Sequence, residues 1–351
     1  MRPDRVGLPA ETPNHRLVGH LFVLGVSIIV HDVRILCVFM GRSRQSGELN
    51  GGCTYREQLG SEANAITVLD YLADRYRHSS RAEWSARIGA GRVVVDDRPV
   101  AEGDPLRSGQ WLSWYRPPWR EPHAPRSFAV LYDRGGVVAV AKPAGLPTLP
   151  GADFYESTLL RQLARYDSDL IPMHRLGRWT SGIVLCARDK KSRAELAEQF
   201  ANRTIRKRYR ALASGNPKED QFVIRTPIGP VPHPTLGTVH GALITGKSAE
   251  SRVRVLRRDG SQFLCDVNIL SGRPHQIRIH LAAAGHPLCG DPLYAAGGCP
   301  RASEPALPGE GGYLLHGAEV GFDAVSDRGE LSAPGFVRVH CVPPSPLIHL
   351  T

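Results

Sequence analysis

Residues 174–188 read HRLGRWTSGIVLCAR, which places basic and hydroxyl side chains just before a short apolar run. Gly177 and Gly182 argue against a helix, so the apolar run IVLC is interpreted as a buried strand. A loop anchored by a buried strand can aim polar side chains into a cleft without burying them in the core. The polar residues of this loop are Arg175, Arg178 and Ser181. Gly177, between the two arginines, offers no nucleophile, acid or charge.

A second group of polar side chains falls on a predicted helix, PHQIRIHLAAAG, with Pro274 suited to its first turn and Gly285 to its end. His275 and Arg278 are three residues apart, so they share a face and both could point toward a cleft. Arg278 is interpreted as a site residue. For His275 and Gln276, hydrogen bonds that lock neighbouring loops are the alternative to a binding role.

The charge balance favours an anionic partner. The 351 residues include 44 Lys and Arg against 34 Asp and Glu, a formal net charge of +10. Such an excess attracts polyanions and favours nucleic acid as a partner, although a basic, solvated surface has the same composition. The hydrophobic share of 42% is ordinary for a globular protein and allows one large and one small domain.

Residues 53–114 are predicted to form the small domain. Helical spacing of apolar residues over 63–76 and 80–88 is followed by three short predicted strands over 91–115. Two helices followed by a small hairpin sheet resemble the αL RNA-binding domain first known from a ribosomal protein; an unrelated α+β cap is the alternative. Residues 115–127 are rich in Pro and Arg and read as an extended linker. The linker's aromatic and Arg residues could stack on RNA, or make no contact at all.

From residue 128 to 351, strand-like runs such as FAVLYD, VVAVAK, IVLCAR and QFLCDVNIL alternate with turns and a few helices. A mainly antiparallel α+β domain is therefore predicted. One helix is ESTLLRQLARY, and another is KSRAELAEQFANR, in which Leu196 and Phe200 form an inward stripe.

Four stretches in this region together resemble the RNA pseudouridine synthases of the RluA type, over residues 128–322. They are VVAVAKPAGLPTLPG, the HRLGR loop with its strand, KRYRAL, and SGRPHQIRIHLAAAGHPLCGDPLY. The resemblance implies an enzyme that turns uridine into pseudouridine in structured rRNA or tRNA. That reaction breaks the bond from ribose to nitrogen, turns the base over and rebuilds the link to carbon. It includes no redox step, so no cofactor is expected.

The resemblance also assigns site residues. Tyr209 takes the place of the family's active-site tyrosine, which stacks on a flipped-out base and lies near the proton lost in rearrangement. Arg278 is implied to contact the nucleotide or the catalytic carboxylate, and Arg175 is implied to act in the site. For Lys142 and its neighbour Pro143, the alternative to a site role is that they shape a turn. The side chains expected to bind RNA are His174, Arg178, Lys142, Lys207, Arg273, His275 and Gln276.

The chain departs from the family at one position: the family loop reads HRLD, whereas Gly177 occupies the aspartate position here. Two hypotheses follow. The first is a pseudouridine synthase whose carboxylate comes from elsewhere, with Asp291, Asp153 and Glu156 in or near matching motifs; the retained Tyr209 and Arg278 favour it. The second is a catalytically silent RNA-binding protein. HRLGR together with the YRPPW linker resembles a branch of the family, which indicates an established variant.

The remaining expectations concern the setting of the protein. Seven cysteines without a CxxC pair are interpreted as reduced thiols of a cytoplasmic protein, without a metal site. A monomer is expected.

Residues 1–52 are treated as an extension outside the predicted domains. Residues 17–40 are apolar, but His20, His31, Asp32 and Arg34 disfavour a membrane span, and a membrane-tethered RNA-binding protein is the third hypothesis.

Overall fold

The computed structural model describes residues 49–301, 306–325 and 335–348, together with the backbone of three short strands before them. Strands β1 (Leu21–Val23) and β2 (Val26–Ile28) pair with each other, and β3 (Leu36–Phe39) pairs antiparallel with β8 (Ser127–Arg134). The pairing of β3 joins part of residues 1–52, which were expected to form an extension outside the predicted domains, to a strand of the large domain. The remaining residues of the 17–40 segment lie outside the described part of the chain.

The small domain combines two helices with a four-stranded sheet. The capping box of its second helix explains where that helix begins: Ser80 Oγ accepts from Glu83 N, and Glu83 accepts from Ser80 N. The two predicted helices and the hairpin are confirmed, whereas the first strand was not predicted. The elements are β4 (Cys53–Gln58), α1 (Val68–Arg75), α2 (Arg81–Gly89), β5 (Val93–Val95), β6 (Arg98–Pro99) and β7 (Trp111–Arg116), in sheet order β4-β7-β5-β6.

The large domain is built on one eleven-stranded sheet and a separate two-stranded sheet of β14 and β15, and together with its helices this confirms the predicted α+β class. The central order of the larger sheet is β13-β16-β17-β12-β18-β11-β9-β8-β3; β10 joins β11 and β19 joins β18. Every described pair is antiparallel except β11 with β18. The strands after β8 are β9 (Val137–Lys142), β10 (Ile171–Pro172), β11 (Ser181–Ala187), β12 (Arg206–Ser214), β13 (Gln221–Ile224), β14 (Ile228–His233), β15 (Gly237–Ala242), β16 (Ser251–Arg258), β17 (Gln262–Ile269), β18 (Leu315–Asp323) and β19 (Phe336–His340).

Three helices cover the sheet. They are α3 (Leu159–Tyr166), α4 (Lys190–Ala201) and α5 (Gln276–Ala283). Strands β9 and β11 are buried along their whole length because both faces of the sheet are covered. One apolar cluster contains residues of α3 and α5, and the other contains Leu196 of α4. The inward position predicted for Leu196 is therefore confirmed.

A close backbone approach at the centre of the sheet determines where the polar loops meet. Gly182 of β11 pairs with Gly317 of β18, and a β-carbon on Gly182 would lie 2.3 Å from the Gly317 carbonyl oxygen. Gly182 also has a φ of +113°, so only glycine fits both constraints. Since β12 pairs with the other edge of β18, the loop before β11 and the residues of β12 are brought to one region.

The segment between the domains is docked on the protein surface. The expected linker begins inside β7 and ends at the start of β8, so residues 117–126 form the actual connection. The Glu121 carboxylate accepts hydrogen bonds from Asn50 Nδ2 and from the backbone N–H groups of Glu156 and Ser157, each at 2.8 Å. These contacts tie the connection to Asn50, just before the small domain, and to the large domain.

Candidate active site

A pocket of about 480 Å³ opens where the loop before β11 meets β12, α5 and the segment before β18. This volume is in the range of pockets that hold small ligands. The pocket brings together Arg175, Tyr209 and Arg278, which come from three separate stretches of the sequence. The other predicted site residues that line it are His174, Gly177, Lys207, Arg273, His275 and Gln276.

The pocket is strongly cationic. Arg175 and Arg203 are exposed at its rim, Arg273 is half-buried, and burial lowers the pKa of the Lys207 ammonium. No salt bridge is formed by any of these four side chains within the described part of the chain. None of the described residues lining the pocket carries a carboxylate. An anion such as a phosphate group would therefore meet several positive charges that have no internal counter-ion.

Tyr209 lies on β12 beside a backbone bulge and is 8% exposed. Burial raises the pKa of its phenol to about 12, so the hydroxyl stays protonated at neutral pH. The Tyr209 ring lies against Gly317 of the neighbouring strand, where a β-carbon would make an ordinary contact with Tyr209 Cε1 at 3.6 Å. The tyrosine can therefore present a neutral ring and hydroxyl to a base in the pocket.

Arg278 is held by Asp291 at the floor of the site. Its Nε and Nη2 donate to the two carboxylate oxygens at 2.7 Å, and both side chains are nearly fully buried. Asp291 Oδ1 also accepts from the N–H groups of Leu293 and Tyr294. This carboxylate accepts four hydrogen bonds, does not line the pocket, and anchors Arg278 in one orientation.

The other two candidate carboxylates lie elsewhere. Asp153 is exposed and pairs with Arg116 of β7 at 3.0 Å. Glu156 pairs with Arg165 of α3 at 2.5 Å. Neither lines the pocket, so neither occupies the place of the family's aspartate.

Tyr313 is a pocket residue that the sequence analysis missed. A β-carbon built on Gly177 would lie 3.1 Å from Tyr313 Oη and 3.4 Å from Thr180 Oγ1. The φ of Gly177 is not positive, so the backbone permits a side chain there. The Tyr313 ring lies 4.2 Å from the Arg278 guanidinium carbon. A phenol oxygen therefore stands next to the space that a side chain at position 177 would enter.

The histidines and Gln276 are engaged in structural hydrogen bonds. His174 Nε2 accepts from Leu185 N at 3.0 Å, and burial, with the charge of Lys207, lowers the pKa of His174 to about 3. Tyr294 Oη donates to His240 O and therefore accepts from His275 Nδ1. Gln276 bonds Ser271 Oγ, Arg273 N, Glu250 O and Ser251 Oγ. The loop-locking interpretation thus describes the contacts of His275 and Gln276.

Two predicted RNA-binding residues do not reach the pocket. Lys142 is 1% exposed, and its ammonium donates to the carbonyl oxygens of Pro143, Leu146 and Arg178. Lys142 therefore holds two loops together. This agrees with the alternative role in shaping a turn. Arg178 donates to Gly145 O and, at 3.4 Å, to His123 O of the connection between the domains, and it packs on Phe154.

A second cavity, of about 910 Å³, lies between the small domain, the connection and residues 151–153. Arginine guanidinium groups lie over its aromatic rings. The Arg87 guanidinium carbon lies 4.5 Å from the Trp84 ring and 4.9 Å from the Trp114 ring, and that of Arg116 lies 3.7 Å from the Trp119 ring. Stacked Trp and Arg side chains are suited to unpaired nucleic-acid bases.

The described residues contain neither a metal cluster nor a membrane-spanning helix. No group of three or more His, Cys, Asp or Glu side chains there could hold a metal ion, and the six described cysteines are free. None of the described helices is long and apolar enough to cross a bilayer. The apolar segment 17–40 falls largely outside the described residues.

Comparison with known proteins gives a consistent result. A family model described as RNA pseudouridylate synthase matches residues 136–283, which include Arg175, Tyr209 and Arg278. A protein of Synechocystis, described as an uncharacterized RNA pseudouridine synthase, is 43% identical over 73% of this chain and 88% of its own length. RNA pseudouridine synthase 5 of Arabidopsis thaliana is 39% identical, over 78% and 89% respectively. Ribosomal large subunit pseudouridine synthase D of Neisseria meningitidis is 34% identical, over 65% and 62%.

Proposed function

Because the chain belongs to the RNA pseudouridine synthase family of the RluA type, we propose that it isomerises specific uridines to pseudouridine in structured rRNA or tRNA. The observation that carries the proposal is the pocket itself. It gathers Tyr209, Arg278 and the HRLGR loop around a cationic space with room for a flipped-out nucleotide.

Each described group has a role in this proposal. Arg175, Lys207 and Arg273 bind the phosphates that flank the target uridine, because no carboxylate among the described residues pairs with their charges. The ring of Tyr209 stacks on the base, and its neutral hydroxyl lies near the proton that leaves C5. Arg278, fixed by Asp291, adds positive charge to the floor of the pocket.

The second cavity extends the proposed RNA contact beyond the pocket. Arg87 has no carboxylate partner within the described residues. Its guanidinium forms one hydrogen bond there, to Ser79 Oγ at 2.8 Å. We assign this cavity to RNA next to the target site, with bases stacked on the guanidinium groups of Arg87 and Arg116, which lie over the tryptophan rings. The proposal also places the protein in the cytoplasm as a monomer, which rests on the sequence argument alone.

A second candidate function is a catalytically silent RNA-binding protein. The absence of a carboxylate among the described lining residues favours it, since the family's aspartate has no direct substitute there. Such a protein would use the same cationic pocket to hold a flipped uridine without isomerising it. The two candidates differ only in whether the glycosidic bond is broken.

Release of tritium from RNA distinguishes them. Transcripts made with uridine tritiated at C5 lose the label to water when C5 becomes bonded to ribose. We expect the purified full-length protein to release label in excess of its own molar amount. Tight RNA binding without release would contradict the synthase and support the silent binder.

A further inference from the structure

Tyr313 occupies the place where the family's aspartate would act. Its hydroxyl is 3.1 Å from the β-carbon position of residue 177, lines the same pocket as Tyr209, and is close to Thr180 Oγ1 at 3.5 Å. A longer side chain on Gly177 would enter this space. Gly177 lacks a side chain, and the Tyr313 hydroxyl lies beside the space that such a side chain would enter.

The segment that carries Tyr313 is held firmly against the site. Trp179 Nε1 donates to Gly309 O, and Gly311 packs so closely on the Trp179 ring that a β-carbon there would lie 2.4 Å from it. Tyr313 itself is 5% exposed and belongs to the main core cluster. Its oxygen is thus positioned by packing, which is what a reacting group requires.

We propose that Tyr313 is the nucleophile of this enzyme, acting through its phenol oxygen in place of the missing carboxylate. This inference rests on the proposed function and names the residue that performs it. Tyrosine is among the side chains that form covalent intermediates, and it serves as the nucleophile at the sugar carbon in sialidases. The Arg278 guanidinium carbon lies over the Tyr313 ring, 4.2 Å from its centroid, which fixes the ring in a cation–π contact.

The reaction balances without a further reactant. The Tyr313 oxygen bonds to C1′ of the ribose as the bond from C1′ to N1 breaks, and the phenolic proton passes to the departing uracil. After the base has turned, C5 bonds to C1′ and the bond from Tyr313 to C1′ breaks. The proton on C5 then returns to the phenolate. The product carries hydrogen at N1 where uridine carried it at C5, so no redox change occurs.

The experiment compares the wild type with Tyr313→Phe in the tritium-release assay and in RNA binding. We expect Tyr313→Phe to lower the rate by at least about 1,000-fold, as for other lost nucleophiles, and to change RNA affinity less than about threefold. Tyr166→Phe is the matched control, because Tyr166 packs on Phe128 and does not line the pocket. It should keep the wild-type rate. A Tyr313→Phe protein that keeps its rate would overturn the inference.

A second measurement does not depend on how the variant folds. A fluorine at the 2′ position disfavours positive charge on the ribose and so slows the breakdown of a bond to C1′. With RNA substituted in this way, we expect the wild type to accumulate a nucleotide adduct on the peptide that contains Tyr313, detected by mass spectrometry after nuclease digestion. An adduct on another residue would overturn the inference. A wild type that releases no tritium would instead overturn the proposed function itself.

Discussion

Arg278 and Asp291 form a buried bidentate ion pair, with both nitrogen–oxygen distances at 2.7 Å and at most 3% of either side chain exposed. The carboxylate also accepts two backbone N–H groups from the turn that follows it. Asp291 therefore orients Arg278 toward Tyr313 and the pocket, while it is itself buried and does not line the pocket. It is a positioning residue in a site where the family's own aspartate is absent.

Asp291→Asn should destabilise the protein by about 3–5 kcal/mol, because it leaves the buried Arg278 without its counter-ion. Urea unfolding measures the change. Asp153→Asn, which removes an exposed partner of Arg116, should cost less than about 1 kcal/mol. An Asp291→Asn protein of undiminished stability that has lost activity would show that Asp291 is a reactant.

Tyr209→Phe should reduce pseudouridine formation on the order of 100-fold or more while leaving RNA affinity nearly unchanged. The hydroxyl matters in the rearrangement, whereas the ring that stacks on the base is kept. Initial rates and filter binding on the same transcript measure the two effects. A parallel loss of rate and affinity would indicate that this buried tyrosine has only a structural role.

RNA binding should weaken steeply with salt, because the pocket's cations replace counter-ions on the phosphates. Lys207→Gln removes one phosphate contact and should therefore reduce the magnitude of the slope of log affinity against log salt by roughly 0.7–0.9. Lys218→Gln is the control, since Lys218 is exposed and lies outside the pocket. Equal slopes for the wild type and Lys207→Gln would exclude a phosphate contact at Lys207.

Acid should destabilise the fold through its buried histidines. Burial lowers the pKa of His174 to about 3 and that of His316 to about 4. The unfolded chain binds these protons near pH 6.5, so stability is fully present above that pH and falls as the pH drops toward 4. Each histidine contributes a slope of at most about 1.4 kcal/mol per pH unit.

His174→Gln tests this slope, because a glutamine oxygen can accept from Leu185 N without titrating. Unfolding free energies measured from pH 7.5 to 4.5 should fall less steeply for this variant. The account of His174 would be contradicted if both proteins lost stability in parallel.

Much of this architecture can be predicted from local sequence. Ser80 and Glu83 specify the start of α2, and the motifs containing Arg175, Tyr209 and Arg278 indicate one site. The start of α5 was predicted less well: Pro274 was expected in the first turn, but His275 adopts a left-handed φ of 54° and the helix begins at Gln276. Local signals therefore find elements more reliably than their ends.

Contacts between segments that are far apart in the sequence were not predictable. Lys142 stands in a matching motif, yet three carbonyl groups from two loops converge on its ammonium. Tyr313 has no motif of its own and reaches Gly177 only because β18 pairs with β11. The sequence shows that an aspartate is missing, but only the packing shows which group stands beside the vacated position.

The most direct test of the central claim is a count of pseudouridine, by mass spectrometry, in unmodified rRNA and tRNA transcripts treated with the wild type and with Gly177→Asp. The backbone at position 177 accepts a side chain, although Tyr313 must shift by a few tenths of an ångström. The account predicts that the wild type, with glycine at 177, forms pseudouridine at a defined uridine over many turnovers. Pseudouridine formed by Gly177→Asp but not by the wild type would contradict this expectation. So would two proteins that fold and bind RNA but form no pseudouridine.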